Sequence, residues 1–240
     1  MFWPALLLAA GYEPPKQIFV HGYLTIGDRK ISKSLGNVID PLDLLEIYGV
    51  DPVRFYVARV TTFGQDGNAS VDDFHERYER ELANDLGNLV SRTTAMVSRY
   101  RDGRLVRSDA PAPVDLGPLG DDVGERLANW DLSGALERIW GVVRDLNRHV
   151  EATAPWQLAK DPARAGELDD VLYQLADGLT GVAIALAPYL PETAPRILDA
   201  LAQPTSLEWS RIRNGVAEAA SGIEPAAPLF PRVDLPAAAA

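Results

Sequence analysis

The sequence predicts a mainly α protein, a helical bundle preceded by a small α/β remnant. Three observations carry that reading. From Ser70 onward, apolar residues recur at helical spacing in segments opened by capping residues or prolines. Short strand-like apolar runs are confined to the stretch before Gly27. With 47% hydrophobic residues in 240, the chain has ample material for a core, in one large or two ordinary domains.

Met1 to Gly11 reads as a short apolar helix stopped by Gly11, a residue that adopts left-handed backbone at little cost. Glu13-Pro-Pro-Lys is a stiff connection into Ile18-Phe-Val-His21, which suits a buried parallel strand, and Tyr23-Leu-Thr-Ile26 continues it. Asp40-Pro41 opens a helix, with Asp40 as N-cap and proline at the first helical position. Asp51-Pro52 repeats that signature ahead of a second short helix, Val53 to Val60, with Gly49 between the two. Ser70-Val-Asp-Asp73 resembles a capping box. Beyond it Leu82, Leu86, Leu89, Val90, Met96, Val97 and Tyr100 mark one long amphipathic helix. Ser108 to Gly120, with three prolines, is expected to be a loop. Leu136, Ile139, Trp140, Val143, Leu146 and Val150 mark the next helix, capped by Asp131 and broken at Pro155-Trp156. Two further helices, Pro162 to Ala187 and Pro191 to Leu201, precede a tail rich in proline and alanine.

Composition narrows the chemistry. The chain has no cysteine, so disulfides, cysteine-ligated zinc and thiol catalysis are excluded within it. His21, His75 and His149 lie far apart without ligand spacing, and no metal site is expected. Val171 to Leu190 is apolar but interrupted by Gln174 and Asp177, which suits a buried core helix better than a membrane span. The first residues are apolar without a basic region before them, which argues against a signal peptide and makes the cytoplasm the expected compartment. A net charge of -11 argues against a nucleic-acid partner. The distribution softens that objection: Arg77, Arg80, Arg92, Arg99, Arg101, Arg104 and Arg107 form a local basic concentration, which a solvated helix face would equally explain.

The most informative stretch is Gly27-Asp-Arg-Lys30-Ile31-Ser32-Lys33-Ser34-Leu-Gly36, between a strand-like run and the Asp40-Pro41 helix start. Only four lysines occur in the chain, and two of them stand three apart here. A compact, mobile ammonium suits a loop that follows a phosphate through a reaction. Gly27 and Gly36 are candidate hinges.

This lysine-serine loop resembles the second signature of class I aminoacyl-tRNA synthetases. Its flanks resemble methionyl-tRNA synthetases in particular: Phe19-Val-His-Gly-Tyr-Leu, Tyr48-Gly-Val-Asp-Pro-Val-Arg-Phe-Tyr, Phe63-Gly-Gln-Asp-Gly, Asn84-Asp-Leu-Gly-Asn-Leu-Val-Ser-Arg, Ala154-Pro-Trp, Leu186-Ala-Pro-Tyr-Leu-Pro-Glu-Thr-Ala and Pro228-Leu-Phe-Pro-Arg. Ile31 stands where methionine is usual, keeping bulk and apolarity. The resemblance implies a Rossmann-type catalytic domain whose C-terminal remnant, with the loop and a stem-contact region, is residues 1–65. A helical anticodon-binding domain at 66–220 and the tail at 221–240 follow. It implies ATP-dependent attachment of methionine to tRNA-Met, with Mg2+ in the complete enzyme. Lys33 would be the main phosphate contact and Lys30 its assistant, with Ser32 and Ser34 holding the closed loop. In the bundle, Trp156, projected by Pro155, would stack on the first anticodon base, and Asn88 and Arg92 would read base edges and backbone. Asn147 would add a polar contact, and a nearby Glu151 would repel wrong placements. Trp130 and Trp140 lack such motif support and are expected in the core.

The family's His-Ile-Gly-His-type element does not occur in this sequence, and His21 belongs to a different block. The expectation is therefore a C-terminal part of a synthetase that is inactive by itself. A stand-alone tRNA-binding module and one chain of a split enzyme are the competing readings. An exposed apolar stretch at Phe2, Trp3, Leu6, Leu7 and Leu8 favours the first.

Overall fold

The computed structural model describes residues 2–18, 20, 22–26, 29–30 and 40–233. Helix α1 (Phe2–Ala9) is followed by strands β1 (Leu24–Ile26) and β2 (Arg29–Lys30), then helices α2 (Pro41–Tyr48) and α3 (Val50–Val60). Strand β3 (Gly67–Asn68) completes a three-stranded sheet in the order β2-β1-β3, with β1 antiparallel to β2 and parallel to β3. Then come α4 (Val71–Arg77), a π-helical segment (Tyr78–Gly87) and α5 (Asn88–Arg101), joined end to end as one long rod. Helices α6 (Gly117–Ala128), α7 (Leu132–Thr153), α8 (Pro155–Leu158), α9 (Ala165–Leu186) and α10 (Thr193–Ala200) complete the bundle. Among the described residues no helix is long and apolar enough to cross a membrane.

Several local signals act as the sequence predicts. Asp40 Oδ1 accepts from Leu42 N at 2.9 Å with Pro41 in the first turn of α2. Ser70 Oγ accepts from Asp73 N at 3.0 Å, and Asp131 Oδ1 accepts from Gly134 N at 3.0 Å to start α7. The capping box is one-sided: the Asp73 carboxylate turns to Arg77, while Ser70 N donates to Tyr56 Oη at 3.1 Å.

Helix α9 is the axis of the bundle, buried on all sides from Val171 onward save for Gln174. Gly178 and Gly181 let Leu146 and Leu116 lie against its backbone, where an added Cβ would fall 2.6 and 2.8 Å from their side chains. The buried Asp177 carboxylate accepts from the backbone N–H groups of Gly215, Val216 and Ala217 at 2.7 to 2.8 Å, pinning a returning loop to the axis. Such a charge is tolerated in the interior because oriented donors replace its water.

The structure corrects other expectations. Ile18 and Val20 are exposed coil, because no neighbouring strand among the described residues offers them an edge; Phe19 and His21 lie outside the described residues. Helix α3 begins at Val50, so Asp51 does not cap it. Its buried carboxylate instead accepts from Glu192 N and Thr193 N, at 3.1 and 2.7 Å from Oδ2, and caps α10 from across the molecule. Residues 117–120, expected as loop, are the first turn of α6, where Pro118 sits at a helix start that tolerates its missing N–H. Trp140 is fully buried against Phe55, with ring centroids 4.8 Å apart, as expected. Trp130 is 47% exposed in a left-handed turn and lines a cavity of about 420 Å³ with Phe63 and Leu132. The bend between α6 and α7 points it outward. Residues 223–230, in the segment expected as a tail, pack back on the rod. Ala226 N donates to Thr94 Oγ1, and Leu229 and Phe230 are buried.

Asp51→Ala is expected to lower unfolding free energy by about 2–3 kcal/mol, because α10 loses an ionic cap and a buried polar site is vacated. Denaturant unfolding followed by circular dichroism checks this; an unchanged midpoint would contradict it.

Candidate nucleic-acid interface

The surface that gathers the sequence-predicted polar residues is built where the rod crosses α7. Widening of the helix at Tyr78–Gly87 turns Glu81 inward, where it is 3% exposed. The Glu81 carboxylate there meets Arg59 of α3 at 3.0 Å, Arg77 at 3.2 Å and Arg80 at 3.4 Å. Arg59 also reaches Glu137 of α7 at 2.5 Å, and Arg144 meets Glu137 at 2.6 Å. Burial works to raise the Glu137 pKa, but the hydrogen bonds from Arg59 and Arg144 outweigh it and hold it below the usual carboxylate value. Asp85, in the same wide turn, is pushed up by burial and by Glu81, with Arg144 and Arg80 opposing. Burial also pushes the Tyr78 hydroxyl up to about 12, so it stays protonated and donates to the Pro231 carbonyl at 2.5 Å.

The next turns of both helices carry the candidate residues. Asn147 Nδ2 donates to the carbonyls of Asp85 at 3.0 Å and Val143 at 3.1 Å, tying α7 to the wide turn. This amide is already engaged, so its first job is to fix the helix pair. Asn88, the first residue of α5, is exposed, and its amide has no partner among the described residues. One turn further on, Arg92 Nη2 meets Glu151 Oε1 at 2.7 Å, and the guanidinium carbon lies 5.8 Å from the Trp156 ring centroid. α7 ends at Thr153, Ala154 takes a left-handed conformation at φ 43°, and a buried Pro155 starts α8. That sharp reversal lays the half-buried indole of Trp156 beside Arg92.

Arg92, Glu151 and Trp156 are thus one cluster. Asn88 and Asn147 sit one helical turn from it, on facing helices. Glu151 is the ion partner of Arg92, so a ligand that takes the guanidinium must displace it. Within the local basic run, Arg77, Arg80, Arg92 and Arg101 each hold a carboxylate, whereas Arg99, Arg104 and Arg107 hold none among the described residues. Lys30 lies on β2, and nothing is described of its side chain; Ile31, Ser32, Lys33 and Ser34, with the hinge candidates Gly27 and Gly36, fall outside the described residues. The pairing of Glu81 with Arg77 was visible as an i, i+4 spacing, whereas Arg59 and Glu137 had no local signal.

The family model described as tRNA synthetases class I (M) matches residues 1–94. A methionine–tRNA ligase of Caldanaerobacter subterraneus subsp. tengcongensis is 37% identical over 98% of this chain, and one of Bacillus subtilis is 38% identical over 98%. The chain spans 38% and 37% of the length of those curated relatives. The solved Mycobacterium tuberculosis methionyl-tRNA synthetase in complex with methionyl-adenylate superposes with a TM-score of 0.85 at 36% identity, covering 96% of this chain and 47% of that one. The apo form of the Mycobacterium tuberculosis enzyme gives 0.81 at 33% identity, covering 98% and 47%.

His149 lies on α7 between Asn147 and Glu151, with Nε2 2.9 Å from Gln174 Oε1. Burial holds its pKa below the ordinary histidine value, with the Gln174 hydrogen bond partly opposing. The unfolded chain therefore binds a proton first as pH falls. Stability is full above about pH 6.5 and declines as pH drops through that ordinary value toward the lowered one. Thermal unfolding between about pH 7.5 and pH 5.5 should show this decline, and His149→Gln should remove the part due to this group. An identical pH profile in the variant would contradict it.

Proposed function

The chain belongs to the methionyl-tRNA synthetase family, and on that premise we propose that it is part of a methionine–tRNA ligase, the enzyme that uses ATP to attach methionine to tRNA-Met in the cytoplasm. Residues 1–65 serve the catalytic side and 66–220 read the anticodon. The observation that carries the reading is the Arg92–Glu151–Trp156 cluster beside Asn88. An unstacked base needs an aromatic face and edge-directed donors, and this cluster offers both on a rigid helix pair. Trp156 stacks on the first anticodon base, with Pro155 fixing the indole's direction. Asn88 presents its free amide to a base edge. Arg92 leaves Glu151 for the RNA, and Asn147 keeps the two helices in register.

On the catalytic side, activation of methionine by ATP expels pyrophosphate, and negative charge builds on the phosphate bridge as the bond breaks. Lys33, assisted by Lys30, meets that charge as it develops. Binding that strengthens only in the transition state is what accelerates the step. Ser32, Ser34 and the loop's backbone N–H groups would hold the loop in its closed form, and Ile31 keeps the apolar bulk at its position. Among the described residues no group of three or more His, Cys, Asp or Glu side chains could hold a metal ion. This sequence supplies one of the two signatures the reaction needs, and the chain acts as a tRNA-binding part until the other is supplied.

Two measurements test this. Trp156→Ala should weaken binding of a tRNA carrying CAU by about 1–3 kcal/mol, the worth of one stacked base. Unchanged binding would remove the anticodon assignment. ATP–pyrophosphate exchange with methionine should be undetectable for the chain alone, and measurable turnover would contradict the half-site reading.

A further inference from the structure

Helix α5 carries a polar stripe beyond the candidate cluster. Asn88, Arg92, Ala95 and Arg99 follow one another at i, i+4, i+7 and i+11, so they share one face, flanked by Ser91 and Ser98. The stripe ends at Asp102, the left-handed C-cap. Small residues between the two arginines leave that face open. The three arginines of α5 are treated differently. Arg92 is held by Glu151, and Arg101 by Asp169 and the Ala165 carbonyl. Arg99 is exposed, meets no carboxylate among the described residues, and has its guanidinium carbon 5.8 Å from the Tyr100 ring centroid.

On α5, Arg99 is thus the arginine without a carboxylate partner among the described residues, in a protein of net charge -11. A guanidinium left unmatched beside a partner ring keeps its full field for an incoming anion. Arg99 stands seven residues from Arg92, a rise of about 10 Å along the helix. The two groups therefore stand too far apart to serve one base.

We propose that Arg99 binds a backbone phosphate of the RNA strand flanking the base that stacks on Trp156. The proposal rests on the anticodon reading and extends its surface along α5. A phosphate contact has a signature that base readout lacks: it acts alike on every sequence and contributes to the salt dependence of binding. Neutralising Glu151 would enlarge the same basic track, but Arg99 needs no such release.

The experiment is fluorescence anisotropy of the full chain with two tRNAs, one bearing CAU and one altered at the first anticodon base, from roughly 50 to 200 mM salt. Arg99→Gln should weaken both RNAs by the same factor, about threefold to tenfold, and reduce the salt slope by about 0.7–0.9. Arg99→Lys should restore most of that slope, since an ammonium also binds phosphate. Asn88→Ala, which removes a base-edge donor, should instead change the ratio between the two RNAs. An unchanged affinity and slope in Arg99→Gln, with the thermal midpoint preserved, would overturn the proposal, as would a changed ratio, which would mark a base reader. If Arg99→Gln behaves as expected while Asn88→Ala leaves the ratio untouched, the anticodon assignment fails and the phosphate contact stands.

Discussion

The buried Glu81 carboxylate and the three arginines around it are the constraint on which the rest depends. A lone carboxylate at 3% exposure would be strongly disfavoured, since burial removes its hydration. Arg59, Arg77 and Arg80 supply replacement donors from two directions. Arg77 and Arg80 come from the rod itself, but Arg59 comes from α3, and its other hand holds Glu137 on α7. The rod, the connection from the sheet and the long helix of the bundle therefore share one electrostatic joint. The π-helical turn is the shape the backbone takes with that joint in place: a regular α-helix over 78–87 would rotate Glu81 and everything beyond it to a different face.

What the joint secures is a register. Asn147 bonds to the carbonyl of Asp85 within the wide turn, so α7 is pinned to the rod just before α5 begins. From that point Asn88 and Arg92 rise on one helix while Glu151 ends the other. The left-handed Ala154 and the buried Pro155 then bring Trp156 back against Arg92. Recognition of a splayed base needs donors placed to within a fraction of an ångström, and rigid helices with fixed register supply that better than loops. Two further carboxylates work in the same way elsewhere. Asp51 caps α10 and Asp177 cradles the 215–217 loop, each joining segments remote in sequence.

Much of this was legible in the residues. The helices with strong apolar periodicity formed where their caps placed them: Asp40, Ser70 and Asp131 act locally, and local chemistry is what a sequence displays. Asp51 looked the same and was misread, because nothing local shows that its partner N–H groups lie some 140 residues away. Ile18 and Val20, expected within a strand, are coil for a related reason, since an apolar run becomes a strand only beside an available edge. The π-helical turn carried no periodicity signal, because Leu82 and Leu86 suit either helix. Among the candidate site residues, the meeting of Arg92, Glu151 and Trp156 follows from tertiary packing. The i, i+4 relation of Asn88 to Arg92, that of Asn147 to Glu151, and the break at Pro155 that turns Trp156 toward the same surface were readable beforehand. The lysine-serine loop was the clearest signal of all in sequence, and its Ile31–Ser34 core falls outside the described residues.

The most direct test of the account is the discrimination between a CAU anticodon and one altered at its first base, measured in Glu81→Gln. The substitution keeps the side chain's size and removes its charge, while Arg59, Arg77 and Arg80 retain Glu137, Asp73 and Glu76 as partners, so the bundle still has the means to fold. If the joint sets the register of the reading surface, discrimination falls by about tenfold in a variant whose helical content is intact, equivalent to roughly 1.4 kcal/mol. Unchanged discrimination in that folded variant would show that the surface is positioned by something other than Glu81 and its arginines.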